Sequence, residues 1–299
     1  MKFISRRTKF AAFLTVGIGI FLTHYFQPKF LYFPRRYESG DFQDSEDYLQ
    51  DRGFELLRIQ YFDDPADGRF SYLALPHSAS SVALIILFGG NGMTALDWVD
   101  WITEVAPHMH GYPQVAFLLI DYPGYGINSG EPSPMSMNEC AEKSFISAME
   151  ALRAHNVEVR EVNVLGHSIG AAVASKWIAQ SNGLTVSRLI LSAPFTSITD
   201  MTSTFLPIFP RPLAALVSRH DWDNREAMKK ISEAKNGVRV IVVHGNKDEI
   251  VPVRMGQELS KIANCPFIPV PHARHNDLLS VAKLFGYVLT SPLESRSSL

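Results

Sequence analysis

The chain has 299 residues, 46% hydrophobic and 11% aromatic, which is enough to bury the core of one large α/β domain. The formal net charge is −2 with no basic cluster outside the N-terminus, which argues against nucleic-acid binding. Two cysteines, Cys140 and Cys265, fit no metal-ligand spacing, although one disulfide between them stays open. We predict no cofactor and no metal, and the oligomeric state stays undetermined.

The first 29 residues predict a membrane segment. A positive flank precedes residues 10–26, about 17 mainly apolar residues, at the short edge of what spans a bilayer as a helix. No clear small-x-small cleavage site follows, so we expect an uncleaved signal anchor rather than a cleaved signal peptide. The basic flank predicts a single-pass orientation with a cytoplasmic N-terminus and the domain, residues 30–299, on the outer, periplasmic or lumenal side.

The rest of the chain predicts an eight-stranded, mostly parallel sheet. Two opening strands, 54–62 and 69–75, are joined by a turn. Strands then alternate with helices, which is typical of a parallel sheet with helices on both faces. The later strands are predicted at 82–88, 116–121, 162–165, 188–192, 238–243 and 267–270, and the main helices at 138–155, 253–262 and 278–289.

One pentapeptide falls where this sheet would turn from a strand into a helix. Residues 166–170 read Gly-His-Ser-Ile-Gly, with an apolar run before them and small residues after them. A Gly-x-Ser-x-Gly sequence in this setting is typical of a nucleophilic serine on a strained turn. The two glycines lack side chains where strand and helix would otherwise collide. Ser168 is therefore the predicted nucleophile.

An acid and a base follow Ser168 in the order Ser, Asp, His. Asp248 comes in the loop after the β-branched run 238–243, at the strand end where parallel sheets collect their sites. His275 comes just before the last predicted helix, where an imidazole could lean over the sheet. We therefore predict Asp248 as the orienting acid and His275 as the base. The competitors are His272 for the base and Glu249, Asp221 or Asp223 for the acid, while His167 and His244 are predicted to be structural.

The Gly-rich residues 89–92 follow the strand at 82–88. Acyl transfer builds negative charge on a carbonyl oxygen, so fixed N–H groups must face that oxygen. We predict that one donor is the backbone N–H of Ile169 and the other is that of Asn91. A tight turn with no catalytic role is the alternative, because the sequence Gly-Gly-Asn-Gly favours a turn in any protein.

Residues 200–235 break the strand–helix alternation, and we interpret them as a short lid. Residues 205–212 of this segment are apolar and interrupted by prolines, and a surface excursion packed on the core is the alternative. A lid would give a bound acyl chain an apolar wall and would keep water out. The predicted substrate-binding residues are Phe205, Leu206, Ile208 and Phe209.

Four segments resemble the α/β-hydrolase superfamily, and within it the membrane-anchored, short-lid alpha/beta-hydrolase-domain proteins. Residues 88–92 look like the family's His-Gly-Asn-Ala loop, and residues 121–130 look like its Asp-Tyr-Arg-Gly-Tyr-Gly-x-Ser-x-Gly segment. Residues 193–197 are similar to its apolar loop, and residues 244–252 are similar to the loop that carries its acid. Gly89 stands where a bracing His is usual, so we expect a more mobile loop, and Pro123 replaces the common Arg. The resemblance, over about residues 30–290, implies an α/β-hydrolase fold.

Together these residues predict a serine hydrolase that cleaves ester or thioester bonds through an acyl-enzyme. The predicted partners are a small acyl or lipid-like substrate and the membrane, and this part rests on fold analogy and on the anchor. Two alternatives stay open. The same three residues would serve an amidase or peptidase, and the fold could be retained in a catalytically weak scaffold.

Overall fold

The computed structural model describes residues 25, 27–61, 68–109, 114–181, 183–205, 211–234 and 237–290. Within those ranges, no helix has the length and apolar character needed to cross a bilayer. The predicted membrane segment, residues 1–29, lies almost wholly outside the described residues. The same holds for three residues of the predicted lid wall, Leu206, Ile208 and Phe209.

Eight strands in the described part of the chain form one sheet in the order β1-β2-β4-β3-β5-β6-β7-β8. β2 runs antiparallel to β1 and β4, and the other neighbouring strands are parallel. The predicted eight-stranded, mostly parallel sheet is therefore confirmed. The strands are β1 (Phe54–Gln60), β2 (Phe70–Pro76), β3 (Ser81–Phe88), β4 (Val115–Ile120), β5 (Glu158–His167), β6 (Arg188–Ser192), β7 (Arg239–Gly245) and β8 (Phe267–Val270).

Helices occupy the connections between these strands. Residues 27–31 are also helical, and the α-helices after them are α1 (Asp41–Gln50), α2 (Trp98–Val105), α3 (Pro134–Ala154), α4 (Ile169–Gln180), α5 (Ile198–Phe205), α6 (Arg211–Val217), α7 (Asn224–Glu233), α8 (Val253–Ala263) and α9 (Ala282–Thr290). Short 3₁₀ helices lie at Ala95–Asp97, Ala106–His108 and Asn276–Ser280.

The sheet separates two apolar cores. All eight residues of β3 are buried, and successive side chains alternate between the two faces, as a strand covered on both sides requires. Leu84 and Ile86 pack in the core under α3, α4 and α8, whereas Ile85 and Leu87 pack in the core under α2 and α9. Burial on both faces explains why the parallel strands are continuous apolar runs in the sequence.

Element boundaries differ from the predicted ones where local signals extend an element. α3 begins at Pro134, four positions before the predicted start, because Ser133 caps it and accepts a hydrogen bond from the Ser136 N–H at 3.0 Å. The last helix begins at residue 282 because the 3₁₀ turn Asn276–Ser280 precedes it. Both cysteines are free thiols, which excludes the disulfide that the sequence left open.

The segment predicted as a lid contains α5, α6 and α7. α7 packs against α4 and α8 and buries Ala227, Met228 and Ile231, so this end of the segment belongs to the core. α5 begins just after the carboxyl end of β6 and ends at Phe205, whose side chain is 52% exposed. The end of the predicted lid that α7 forms is therefore packed on the core, which is the alternative that the sequence left open for this segment.

Candidate active site

Ser168, Asp248 and His275 lie on three loops at one edge of the sheet. Ser168 follows β5 directly, Asp248 follows β7, and His275 follows β8. The strands β5, β6, β7 and β8 are parallel neighbours, so their carboxyl ends meet at this edge. The topology alone therefore brings the three predicted residues to the same side of the molecule.

The backbone at Ser168 is strained in the way the motif predicts. Its φ of 55° and ψ of −117° belong to a region that residues with side chains rarely adopt. Such a conformation costs about 1–3 kcal/mol and persists only where the surroundings impose it. One such constraint is the bond from the Ser168 N–H to the Ser192 carbonyl oxygen, at 2.8 Å.

The two glycines of the motif have the expected role. A Cβ on Gly166 would lie 2.5 Å from the carbonyl oxygen of Gly170 at the start of α4. A Cβ on Gly170 would overlap with the carbonyl oxygen of Phe88 and lie 2.6 Å from that of Gly89. Both obstacles are backbone atoms that cannot rotate away, so the close approach of β5, α4 and β3 requires glycine at both positions.

Asp248 holds His275 in a fixed orientation. The distance between His275 Nδ1 and Asp248 Oδ2 is 2.7 Å, and the Asp248 side chain is fully buried. The other carboxylate oxygen, Oδ1, accepts the N–H groups of Ile250 at 2.9 Å and Val251 at 2.7 Å. His244 Nε2 lies 3.3 Å from the same Oδ2 and 3.0 Å from the Val251 carbonyl oxygen.

These donors keep Asp248 ionised. Burial on its own would raise the pKa of the Asp248 carboxyl, but hydrogen bonds from His244, His275 and the Val251 N–H outweigh it. Together they hold the pKa well below its usual range. Asp248 can therefore accept the Nδ1 proton of His275, which leaves Nε2 of that ring without a proton and able to act as a base.

The structure separates the competing residues from these positions. His272 is exposed at a positive φ of 62°, and its N–H donates to Asn246 Oδ1. Glu249 is exposed, Asp221 accepts the N–H of Thr199, and Asp223 caps the first turn of α7.

His167 is buried beside His275, and its pKa is lowered. Its Nδ1 lies 3.0 Å from Ser192 Oγ, and its ring centroid lies 4.9 Å from that of His275. Burial, together with the nearby His275, lowers the pKa of His167 to about 3. The His167 ring is therefore neutral at physiological pH, and it packs against the ring of His275 without adding a positive charge there.

The Ser168 hydroxyl and the His275 ring lie at the same edge of the sheet but are not hydrogen-bonded. Among the described residues, no hydrogen bond joins the Ser168 hydroxyl to His275, whose ring contacts Asp248 and His167. In substrate-free enzymes catalytic hydrogen bonds are often long and tighten when substrate binds.

Two backbone N–H groups remain available beside Ser168. Within the described part of the chain, neither the N–H of Ile169 nor that of Asn91 has a hydrogen-bond acceptor. Gly90 separates the Asn91 loop from β3, and a Cβ on Gly90 would lie 3.4 Å from His167 Cδ2. The loop therefore lies against His167, the residue that precedes Ser168.

The loop is braced from a direction that the sequence did not indicate. The Tyr122 hydroxyl donates to the Gly89 carbonyl oxygen at 2.9 Å, and the Tyr125 hydroxyl donates to the Asn91 carbonyl oxygen at 2.6 Å. Both tyrosines follow β4, and they occupy the two Tyr positions of the family-like segment at residues 121–130. The loop therefore has no bracing His at position 89, and two phenol hydroxyls hold its carbonyl groups.

Comparisons with known proteins agree with this architecture. Residues 85–236, just over half of the chain, match the model of the alpha/beta hydrolase family. The chain belongs to this family. An uncharacterized protein of Mycobacterium tuberculosis is 30% identical over 211 residues, which are 68% of this chain and 66% of the relative. The lysophosphatidylserine lipase ABHD12 of Danio rerio is 27% identical over 197 residues, 62% of this chain and 48% of the relative.

The chain thus spans less than two thirds of the length of these relatives. Among solved structures, an esterase from Exiguobacterium antarcticum superposes with a TM-score of 0.54 at 18% identity, over 80% of this chain and 99% of the esterase. At this identity the likeness shows the fold alone. The α/β-hydrolase resemblance read from the sequence is confirmed.

Proposed function

We propose that the chain is a serine hydrolase that cleaves ester or thioester bonds, with Ser168, His275 and Asp248 as its triad. The observation that carries this proposal is the buried, 2.7 Å contact between Asp248 and His275 at the same sheet edge as the strained Ser168 turn. A buried carboxylate against an imidazole is costly for stability alone, and the surrounding hydrogen bonds favour its charged form. Membership of the hydrolase family supports the same assignment.

The reaction would proceed in two halves. His275 Nε2 takes the proton of the Ser168 hydroxyl as Oγ attacks the carbonyl carbon, and Asp248 stabilises the imidazolium that forms. The N–H groups of Ile169 and Asn91 bind the oxyanion of the tetrahedral intermediate. The bond to the leaving oxygen or sulfur then breaks, and the leaving group takes the proton from His275. Water repeats the cycle on the acyl-enzyme and releases the acid.

We propose that the substrates are acyl or lipid-like and that the domain, residues 30–299, is held at a membrane by residues 1–29. The apolar character of residues 10–26, with the basic residues before them, supports the anchor and its cytoplasmic N-terminus. The named activity of the Danio rerio relative supports the lipid class. Large apolar side chains are also exposed on segments that follow carboxyl ends of strands: Ile127 and Met135 after β4, Phe205 and Leu216 after β6, and Ile250 after β7.

A fluorophosphonate probe tests the nucleophile. The probe should label the wild type and fail to label Ser168→Ala. Ser175→Ala is the matched control, because Ser175 is a buried serine of α4 whose hydroxyl makes no hydrogen bond within the described residues. Labelling of Ser168→Ala at the wild-type level would overturn the assignment.

A second experiment tests the substrate class. Turnover of monoacylglycerols and lysophospholipids should exceed turnover of a short p-nitrophenyl ester and of matched amides. A preference for amides would instead support the amidase or peptidase alternative.

A further inference from the structure

The segment that precedes the hydrolase core lies directly on the oxyanion loop. We call residues 27–37 the strap. The Phe33 N–H donates to the Asn91 carbonyl oxygen at 3.1 Å, and the side-chain amide of Asn91 donates to the Leu31 carbonyl oxygen at 3.4 Å. Asn91 is therefore joined to the strap both by its backbone and by its side chain.

The strap is itself fixed to loops on either side of the site. The Gly126 N–H donates to the Arg35 carbonyl oxygen at 2.8 Å, and the Arg35 side chain forms two hydrogen bonds with Asp97, at 3.1 and 3.2 Å. At its other end, the His220 N–H donates to Gln27 Oε1 at 2.7 Å. Because Arg35 and Asp97 are partly exposed, the backbone bond at Gly126 is the more persistent of these contacts.

Tyr125 connects the strap to the loop. Its hydroxyl donates to the Asn91 carbonyl oxygen at 2.6 Å and accepts from the Phe33 N–H at 3.2 Å. The ring is fully buried, in edge contact with the ring of Tyr122 at a centroid distance of 5.5 Å. The hydroxyl therefore has little freedom to move away from either partner.

Three consecutive carbonyl groups of the loop each accept a hydrogen bond. The Gly89 carbonyl accepts from Tyr122, the Gly90 carbonyl accepts from the Met93 N–H at 3.1 Å, and the Asn91 carbonyl accepts from Tyr125. The Asn91 N–H shares a planar peptide unit with the Gly90 carbonyl and points the opposite way. Fixing that unit and the units on both sides of it fixes the direction of the Asn91 N–H.

We infer that Tyr125, supported by the strap, is a positioning residue that aims the Asn91 N–H at the oxyanion. This inference rests on the proposed function, and it concerns a loop that has glycine at position 89 and therefore no bracing side chain there. A donor that must face the developing charge contributes mainly in the transition state, so its misplacement lowers kcat more than it changes KM. A shift of about 1 Å in such a group can cost up to about 10²-fold in rate.

The test is Tyr125→Phe in the full-length protein, with a soluble p-nitrophenyl ester as substrate. We expect kcat to fall about tenfold or more with KM within about twofold of wild type. The affinity for a trifluoromethyl ketone, whose adduct carries the oxyanion, should fall by a similar factor. Asn91→Ala keeps the backbone N–H but removes the contact with Leu31, and it should lower kcat by a smaller factor.

Tyr61→Phe is the matched control. The Tyr61 hydroxyl is also buried and accepts hydrogen bonds from Cys140 at 3.2 Å and Asn128 at 3.3 Å, but it does not contact the loop. It should lower the melting temperature without the loss of kcat or of ketone affinity. Equal losses in the two phenylalanine variants would show that Tyr125 acts through stability alone and would overturn the inference.

Amide hydrogen exchange separates this inference from the proposed function. The peptide that covers residues 89–97 should exchange faster in Tyr125→Phe than in wild type or in Tyr61→Phe. An inactive wild type would overturn the proposed function and, with it, the catalytic part of this inference. An active wild type whose kcat and loop exchange are unchanged by Tyr125→Phe would overturn the inference alone.

Discussion

Replacing Asp248 by Asn should nearly abolish activity, because the site needs acceptors at both carboxylate oxygens. Oδ1 accepts two backbone N–H groups and Oδ2 accepts His275, with His244 close by. An amide offers one oxygen and one NH₂ group, so in either orientation the NH₂ group faces a hydrogen-bond donor, either the His275 ring or the two backbone N–H groups. If the NH₂ group faces His275, the ring must present an unprotonated Nδ1 and carry its proton on Nε2, where it cannot accept the proton of Ser168.

The expected loss in kcat is about 10⁴-fold, as for the equivalent change in other serine triads, and it corresponds to about 5 kcal/mol in the barrier. If the amide turns the other way, the Ile250 and Val251 N–H groups lose their acceptor, which costs about 1–3 kcal/mol of stability for each buried unsatisfied group. Initial rates on a p-nitrophenyl ester, together with urea unfolding, measure the two effects.

Glu249→Gln is the control for this prediction. Glu249 is the neighbouring acid and is exposed, so its neutralisation should leave kcat within about twofold of wild type. An Asp248→Asn variant that keeps both more than a tenth of wild-type activity and the wild-type stability would refute the assignment of Asp248 and, with it, the mechanism derived from its contact with His275.

Two further predictions concern stability. Gly170→Ala should lower the free energy of unfolding by about 3 kcal/mol, because the new Cβ would overlap with the Phe88 carbonyl oxygen. The control is Gly92→Ala, whose Cβ meets nothing within 4 Å and which should change the free energy of unfolding by less than about 0.5 kcal/mol. Similar urea midpoints for the two variants would contradict this prediction. Burial raises the pKa of the Asp121 carboxyl to about 7, above its ordinary value. The protonated carboxyl therefore contributes to the free energy of unfolding in full below about pH 4, and this contribution is lost as the pH rises to about 7. Relative to Asp121→Asn, the wild type should lose a few kcal/mol over that range, and a constant difference would show that Asp121 does not titrate there.

The parts of the site that the sequence predicted are those determined by short segments. The Gly-x-Ser-x-Gly turn at 166–170 carries its own glycine requirement, and the β-branched run 238–243 places Asp248 at a strand end. The parallel order of the strands then brings both to one edge. His275 could be preferred to His272 only by its place before a helix, and its contact with Asp248 agrees with that preference.

His244 illustrates a partial signal. It was predicted to be structural, and it does support the site through Asp248 Oδ2 and the Val251 carbonyl. The four-residue spacing between His244 and Asp248 is visible in the sequence. What the sequence does not contain is the direction of either side chain, because both depend on how the loop folds back over the end of β7.

The bracing of the oxyanion loop could not be predicted, because its partners are distant in sequence and its acceptors are backbone atoms. Tyr125 and Asn91 are 34 positions apart, and Asn91 and Leu31 are 60 apart. A carbonyl group is present at every residue, so no residue type marks the position that a phenol will contact. The absence of a bracing His at position 89 predicts a mobile loop, because the hydrogen bonds from distant residues to the loop carbonyls are not visible in the sequence. The contacts that hold the loop come from two other segments, residues 27–37 and 121–130, and those of the two tyrosines fix the carbonyls of Gly89 and Asn91 on either side of the peptide unit that carries the Asn91 N–H.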